Sequence, residues 1–329
     1  VEGDVVGDRP ERRVVSGDKV SELRYGENPH QPAAVYADAG SGATGVVDAP
    51  QLNAGAKALS YNNYNDADAA LNLIREFDAP AAAVIKHTNP AGCATADILA
   101  DAYDDALATD AMSAFGALNR VCDADTAELI VESFKEVVVA PGYTDAAVEV
   151  LTDEEDLRVL DVEELAESAD SRSGRITETR LVGGRLVQDR DLWAPTREDL
   201  EVVTETGPTD DQVETMLFAW RVLKHVKSNG IVLADGTETV GVGAGQVSRV
   251  DAVRLATMKA DEHAERTGVE GSVLASDAFF PFPDGVERAI DAGVGAVIQP
   301  GGSVNDDEVV AVCDDHGIPM AFTGRRCFR

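Results

Sequence analysis

Lys86 and His87 stand side by side in Lys86-His87-Thr88-Asn89-Pro90, directly after the apolar run Ala81–Ile85. An ammonium beside an imidazole offers one substrate an acid, a base and an oxyanion partner. Neighbouring strand residues point to opposite faces. A Lys-His pair serving one substrate therefore belongs at the end of the strand, where the backbone turns. Pro90 and Gly92 are expected to break the chain there.

Further segments set polar side chains among Gly and Pro at expected strand ends, where open α/β sheets bind ligands. In Arg24-Tyr25-Gly26-Glu27-Asn28-Pro29-His30 a guanidinium fork and a phenol suit a phosphate; a surface loop with a structural Tyr is the other reading. Ser113-Ala114-Phe115-Gly116 reads as a helix-to-strand turn. Lys227-Ser228-Asn229-Gly230 is either a helix stop or an amide site for a carboxamide or carbonyl. Gly241-Val242-Gly243-Ala244-Gly245-Gln246, followed by Ser248-Arg249, is spaced GxGxG rather than GxGxxG, which excludes a dinucleotide fingerprint. Its glycines could instead let backbone approach a ligand. Phe279, Phe280 and Phe282 form either a core plug or a flat wall for a pterin or purine-like ring. Arg325-Arg326 is either solvated or an anion site.

The elements that must position these groups alternate helix and strand, which predicts a layered α/β architecture. Apolar spacing predicts helices over Asp66–Phe77, Ile98–Ala108, Ala127–Val131, Val213–Val226, Val250–Glu265 and Gly285–Ala292. Gly207–Asp211 supplies a turn and helix N-cap. Strands are expected at Ala81–Ile85, Glu136–Val139, Val148–Thr152, Arg158–Leu160, Ile231–Ala234, Thr239–Val242, Val273–Ser276 and Ala296–Gln299. Asp235-Gly236 reads as a hairpin turn. A final helix and strand end at Phe322. Residues 1–20 read as polar and partly extended, and 163–178 as a surface excursion. A boundary is placed near residue 200, giving parts 1–200 and 201–329. The two have similar rhythm without a sequence repeat.

The 329 residues suffice for one large domain or two ordinary ones. The chain is 44% hydrophobic but only 5% aromatic, so Ala and Val carry the apolar load. Sixty acidic residues face 28 basic ones, a net charge of −32. The acids are dispersed rather than gathered in a tail. That favours adaptation to high salt over an acidic partner-binding protein. A basic face for nucleic acid is missing. Cys93, Cys122, Cys313 and Cys327 form no CxxC pair, so neither a disulfide framework nor structural zinc is expected. No apolar stretch approaches the ~20 residues of a membrane span, and no signal peptide is read. The cytoplasm is the expected compartment.

In order, RYGENPHQ, LSYNNYNDADAA, VIKHTNPAGCA, SAFG, KSNGIVLA, GVGAGQVSR, SDAFFPFPDG and FTGRRCFR resemble the formyltransferase part of the bifunctional purine biosynthesis family. This is the 5-aminoimidazole-4-carboxamide ribonucleotide (AICAR) formyltransferase. The resemblance runs from about Arg24 to Arg329. The family's inosinate cyclohydrolase part would precede residue 1, so the chain is expected to formylate and not to cyclise.

The resemblance implies formyl transfer from 10-formyltetrahydrofolate to the 5-amine of AICAR. Lys86, His87 and Asn229 match the catalytic positions. Arg24, Tyr25 and Arg326 match phosphate and ribose binders. Gly116, Arg249 and Phe279 match the wall of the base site, and Glu136 the ribose side. Pro281, Asp284 and Ser303 are assigned to the folate. The implied fold is two cytidine-deaminase-like three-layer α/β/α subdomains. The deaminase signature HxE…PCxxC is missing, so no zinc is expected. A homodimer with active sites at its interface is also implied. Relatives often end in histidine where this chain has Arg329, which puts a terminal contact in doubt. A non-catalytic AICAR-binding subunit is the competing expectation.

Overall fold

The computed structural model describes residues 11–39, 45–53, 55–110, 115–133, 135–163, 176–262 and 268–329. Residues 1–10, 111–114, 164–175 and 263–267, where parts of four expectations fall, lie outside them; these include Ser113 and Ala114.

Strands β1 (Gly17–Leu23) and β2 (Ala33–Asp38) form an antiparallel ribbon ahead of α1 (Tyr61–Ile74). There follow β3 (Ala81–Lys86), β4 (Asn89–Thr95), α2 (Leu99–Thr109), β5 (Phe115–Leu118), α3 (Ala124–Val131), β6 (Val137–Ala140), α4 (Asp145–Thr152) and β7 (Arg158–Asp161). A second ribbon, β8 (Ile176–Leu181) with β9 (Gly184–Asp189), and the short β10 (Glu201–Val202) lead to α5 (Asp210–Leu223). Then come β11 (Ile231–Asp235), β12 (Glu238–Gly243), α6 (Arg249–Glu262), β13 (Val273–Ser276), α7 (Asp284–Asp291), β14 (Ala296–Gln299), α8 (Asp306–His316) and β15 (Met320–Phe322).

One 11-stranded sheet carries both halves, in the order β10-β15-β14-β13-β11-β12-β4-β3-β5-β6-β7. Its topology repeats. An antiparallel hairpin (β3/β4 or β11/β12) pairs antiparallel with the next strand (β5 or β13), and two parallel strands follow (β6, β7 or β14, β15). The hairpins meet antiparallel at a central seam, where Glu238 faces Ala94. Across it Thr239 Oγ1 accepts the Cys93 amide at 2.9 Å and Thr109 Oγ1 donates to the Thr239 carbonyl at 2.5 Å. The duplication that the sequence did not reveal is thus visible in strand order.

Alternation along the strands sorts the core into layers. Ala81, Ala83 and Ile85 join Val232 and Ala234 in a cluster with α1 and α5 that runs unbroken across the seam. Phe77 meets Phe218 there, with ring centroids 5.5 Å apart. On the opposite face Ala82 and Val84 pack with α2, α3 and α4. Ile231 and Leu233 pack there with α6, α7 and α8. The result is a three-layer α/β/α sandwich.

Three expectations are corrected. Val148–Thr152 belongs to helix α4. Thr144 Oγ1 accepts the Ala147 amide at 3.2 Å as its N-cap, and only Ala147 and Leu151, one helical turn apart, are buried. Pro90 and Gly92 do not break the chain but lie within β4, Pro90 beside a register shift at Val84/Ile85. Finally, Gly241 and Gly243 of GVGAG serve packing rather than ligand approach. A Cβ on Gly243 would stand 2.0 Å from the Ala252 carbonyl of α6, and one on Gly92 1.9 Å from the Ala106 carbonyl of α2. Helix backbones lie directly on both hairpins. Helix α1 also starts earlier than its apolar spacing predicts, because Ser60 and Asn63 form a reciprocal capping box.

Candidate active site

The β3/β4 hairpin closes on a two-residue turn, Lys86 pairing with Asn89. Its central residues His87 (φ +52°) and Thr88 (φ +62°) are both left-handed, as a type I′ turn requires. Each costs roughly 1–2 kcal/mol for a residue with a Cβ, and Thr is β-branched. In the second half the matching two-residue turn begins with Gly236, at φ +53°. The first half places an imidazole where its repeat uses glycine.

Neighbouring groups hold this turn. Asp66 of α1 accepts the Thr88 amide at 2.6 Å. Thr88 Oγ1 and Asn89 Nδ2 donate to the His87 carbonyl at 2.7 and 3.0 Å. Arg329 Nη1 donates to the Thr88 carbonyl at 3.1 Å and to that of His225 at 2.5 Å. Arg329, where relatives often carry histidine, thus touches the turn itself. Burial raises the Asp66 pKa, partly offset by the Thr88 and His87 amides.

Asn89 joins the turn to the second half, its Oδ1 accepting the Lys227 amide at 2.9 Å. The Lys227–Gly230 segment follows α5 and is fixed by a buried network. Arg249, the first residue of α6, donates through Nη2 to Asn229 Oδ1 at 2.8 Å. Its Nη1 donates to Asp277 Oδ1 at 2.7 Å and Ser276 Oγ at 2.8 Å. Asp277 Oδ2 accepts the Gly230 amide at 2.8 Å. Asn229 Nδ2 donates to the Gln246 carbonyl at 2.8 Å. This leaves Asn229 one amide hydrogen and one acceptor site for a ligand.

A groove of about 480 Å³ opens beside this network. Asn229, Arg249, Phe279, Pro281, Asp284 and Arg326 line it, with Phe282 and Phe328 at its mouth. Cationic groups, an amide and exposed phenyl faces suit a planar ring carrying an anion.

Other expected residues lie elsewhere. Lys86 and His87 are exposed at the sheet edge where β6 also begins. Glu136 sits just before β6 and accepts from Asn63 Nδ2 at 3.1 Å. Gly116 is buried in β5 beneath the Tyr103 ring and does not line the groove. The Arg24 guanidinium stacks on Tyr25, 4.7 Å from its centroid, in the turn between β1 and β2. That turn is tethered to α1 through Asn62 Nδ2 and the Glu27 carbonyl at 3.3 Å. Ser303 Oγ accepts the Asn305 amide at 3.2 Å, and Asn305 Nδ2 donates to the Pro281 carbonyl at 2.7 Å. Among the described residues no group of His, Cys, Asp and Glu could hold a metal ion.

Sequence reasoning missed Asp66, Asp277 and a buried cluster behind the site. In that cluster Lys224 Nζ and His225 Nε2 reach Glu76 at 2.9 and 3.1 Å. Burial pushes the Glu76 pKa up, but His225 and Lys224 outweigh it and hold the carboxyl low; burial lowers that of His225. The signals were an Asp inside the LSYNNYNDADAA run and the Lys224-His225 pair just ahead of Lys227-Ser228-Asn229-Gly230.

A family model described as the AICARFT/IMPCHase bienzyme matches residues 4–259. The chain is 49% identical over 335 residues to the bifunctional purine biosynthesis protein PurH of Roseobacter denitrificans, covering 98% of this chain and 62% of that one. It is 50% identical to PurH of Dinoroseobacter shibae (97% and 61% covered) and 53% identical to PurH of Sorangium cellulosum (93% and 58%). It thus spans about three fifths of the length of these relatives.

Proposed function

Because the chain belongs to the AICARFT/IMPCHase bienzyme family, we propose that it transfers the formyl group of 10-formyltetrahydrofolate to the 5-amine of AICAR, in purine biosynthesis. One observation carries the reading. His87 occupies a left-handed turn position that the repeated half gives to glycine, and that turn is wired through Asn89 to the loop bearing Asn229. Strained backbone of this kind clusters at functional sites, and of the two strained residues His87 is the one whose side chain can move a proton.

The 5-amine is a poor nucleophile because its lone pair is delocalised into the ring and carboxamide. As its C–N bond to the formyl carbon forms, His87 takes the amine proton. Lys86 steadies the tetrahedral oxyanion or protonates the departing nitrogen: as the oxyanion collapses, the formyl C–N10 bond breaks and the folate N10 takes its proton from the Lys86 ammonium or from the imidazolium of His87. Asn229 holds the carboxamide or formyl oxygen with its remaining amide hydrogen. Proton transfer and charge stabilisation of this kind are each worth about 10²–10⁴-fold. Arg326 binds the phosphate with Arg24 and Tyr25. Arg249 and Phe279 wall the base with Gly116, Glu136 serves the ribose, and Pro281, Asp284 and Ser303 the folate. No metal takes part in this scheme.

The repeated topology supports two cytidine-deaminase-like subdomains divided near residue 200. A homodimer with interface sites is part of the same reading. The β8/β9 ribbon supports it, being an isolated pair that exposes Leu181, Val182 and Leu186, and such ribbons need a surface to pack on. The reading carries the cytoplasm as compartment and high salt as milieu. Among the described residues no helix is long and apolar enough to cross a membrane.

The test is tetrahydrofolate release, followed by absorbance in molar KCl with AICAR and 10-formyltetrahydrofolate. The chain should turn over, and His87→Ala should lose transfer by at least about 10²-fold while AICAR still binds by calorimetry. Normal turnover by His87→Ala refutes the role of His87. Tight AICAR binding by the unaltered chain with no turnover favours a non-catalytic subunit.

A further inference from the structure

The turn bearing His87 is anchored from outside its own hairpin by a carboxylate that the chemistry above leaves without a task. Asp66 lies on α1, 4% exposed, beneath the sheet edge. It receives the amide of the left-handed Thr88 at 2.6 Å, and the neighbouring His87 amide lowers its pKa. In the repeated half the corresponding turn carries Gly236, for which positive φ is inexpensive. The His87-Thr88 turn puts two side-chain-bearing residues at positive φ and has Asp66 as an outside acceptor; the Gly236-Thr237 turn puts only its glycine there. Asp66 is itself set by its helix, three residues after Asn63, which closes the capping box with Ser60 and donates to Glu136 at 3.1 Å. Helix start, acceptor and turn therefore form one rigid chain of contacts.

We propose that Asp66 is a positioning residue of the formyl transfer: by binding the Thr88 amide it holds the turn left-handed and so fixes the backbone that presents the imidazole. Its activity readout rests on the formyl-transfer reading. Its conformational readout does not.

Four proteins test it: the unaltered chain, Asp66→Ala, Asp66→Asn and the double variant Asp66→Ala/Thr88→Gly. Misplacement of a catalytic group by about 1 Å costs up to about 10²-fold. Asp66→Ala should therefore lower kcat about 10–10²-fold, with KM for AICAR within about threefold. Asp66→Asn keeps an acceptor oxygen and should stay within about fivefold of the unaltered chain. Adding Thr88→Gly to Asp66→Ala removes the penalty on the left-handed backbone and should restore kcat at least about fivefold. Amide hydrogen exchange read at His87 and Thr88 should be slow in the unaltered chain and in Asp66→Asn, and fast in Asp66→Ala.

Unchanged kcat with protected turn amides in Asp66→Ala overturns the proposal. So does an Asp66→Asn protein as impaired as Asp66→Ala, or a double variant with no recovery. If Asp66→Ala does not fold, the kcat and turn protection of Asp66→Asn decide. If the unaltered chain shows no turnover, the formyl-transfer reading falls, and exchange at the two amides alone decides the role of Asp66 in the turn.

Discussion

Asp277 and Arg249 form the most informative pair for perturbation. The Asp277 side chain is 0% exposed and that of Arg249 8%. Asp277 holds both the guanidinium and the Gly230 amide, and the guanidinium holds Asn229. Truncating one partner strands a buried charge, which costs about 3–5 kcal/mol. Unfolding entropy of about 2.1 cal/mol/K per residue near 60 °C gives about 0.7 kcal/mol/K for 329 residues. Asp277→Ala should then lower Tm by about 4–7 °C, and Arg249→Met by a similar amount. The double variant Asp277→Leu/Arg249→Met strands no charge, and Ser276 Oγ keeps its own acceptor at the Ala278 carbonyl, 2.7 Å away. It should regain at least half of the lost stability, a coupling of about 2 kcal/mol or more. Its formyl transfer should nonetheless stay depressed by about 10²-fold, because Asn229 has lost the guanidinium that fixes its Oδ1. Calorimetric melts of all four proteins at one KCl concentration read the cycle. Single losses that simply add in the double variant, or an Asp277→Ala melt within about 1 °C of the unaltered chain, refute this account.

With a net charge of −32, Tm should rise by about 5 °C or more between 0.1 and 2 M KCl, as the screening length falls from about 10 Å to under 3 Å; equal melts at both salts exclude the salt reading. The Glu76 carboxyl is held below its ordinary range, so the stability it adds is complete above pH ~4.5 and disappears as pH falls through its lower folded value. The lowered His225 adds a loss as pH falls below ~6.5, where only the unfolded chain gains a proton. Glu76→Gln should cost about 3 kcal/mol at pH 7 and flatten the lower part of this acid limb in Tm-against-pH scans. Burial lowers the Lys135 pKa to about 8. Between that value and the unfolded ~10.5 the unfolded chain holds the extra proton, so stability rises with pH. Lys135→Met should abolish that rise and raise Tm at pH 7 by about 1–3 °C; an unchanged alkaline limb counts against it.

Much of the candidate site's placement was legible because it is local. Lys86-His87 at a strand end, Asn229 after a helix and Phe279 after a strand are each set by residues within one element and its turn. Most elements were legible for the same reason: apolar period and turn residues mark β11 and β12 around Asp235-Gly236 without tertiary help. What escaped depends on partners distant in sequence. Gly241 and Gly243 look like a ligand loop until α6 is seen lying on them. Val148–Thr152 alternates enough to suggest a strand, yet the Thr144 cap and the Ala147–Leu151 stripe decide for helix. Asp66 and Asp277 look like ordinary acids in an acidic chain. Their roles appear only when the Thr88 and Gly230 amides lie beside them, from 22 residues later and 47 residues earlier in the chain. The duplication escaped because strand order can persist after side chains have diverged.

The seam between the hairpins fixes when, during folding, a working site can exist. Asn89 meets Lys227 across 138 residues of chain, and Thr88 meets Arg329 across 241. Loops of that size close late and slowly. A nascent chain that has folded only its first half displays the His87 hairpin with no groove beside it. Under the proposed function, competence to bind nucleotide reports on completion of the whole sheet, and recovered formyl transfer would be a stricter refolding assay than recovered helix content.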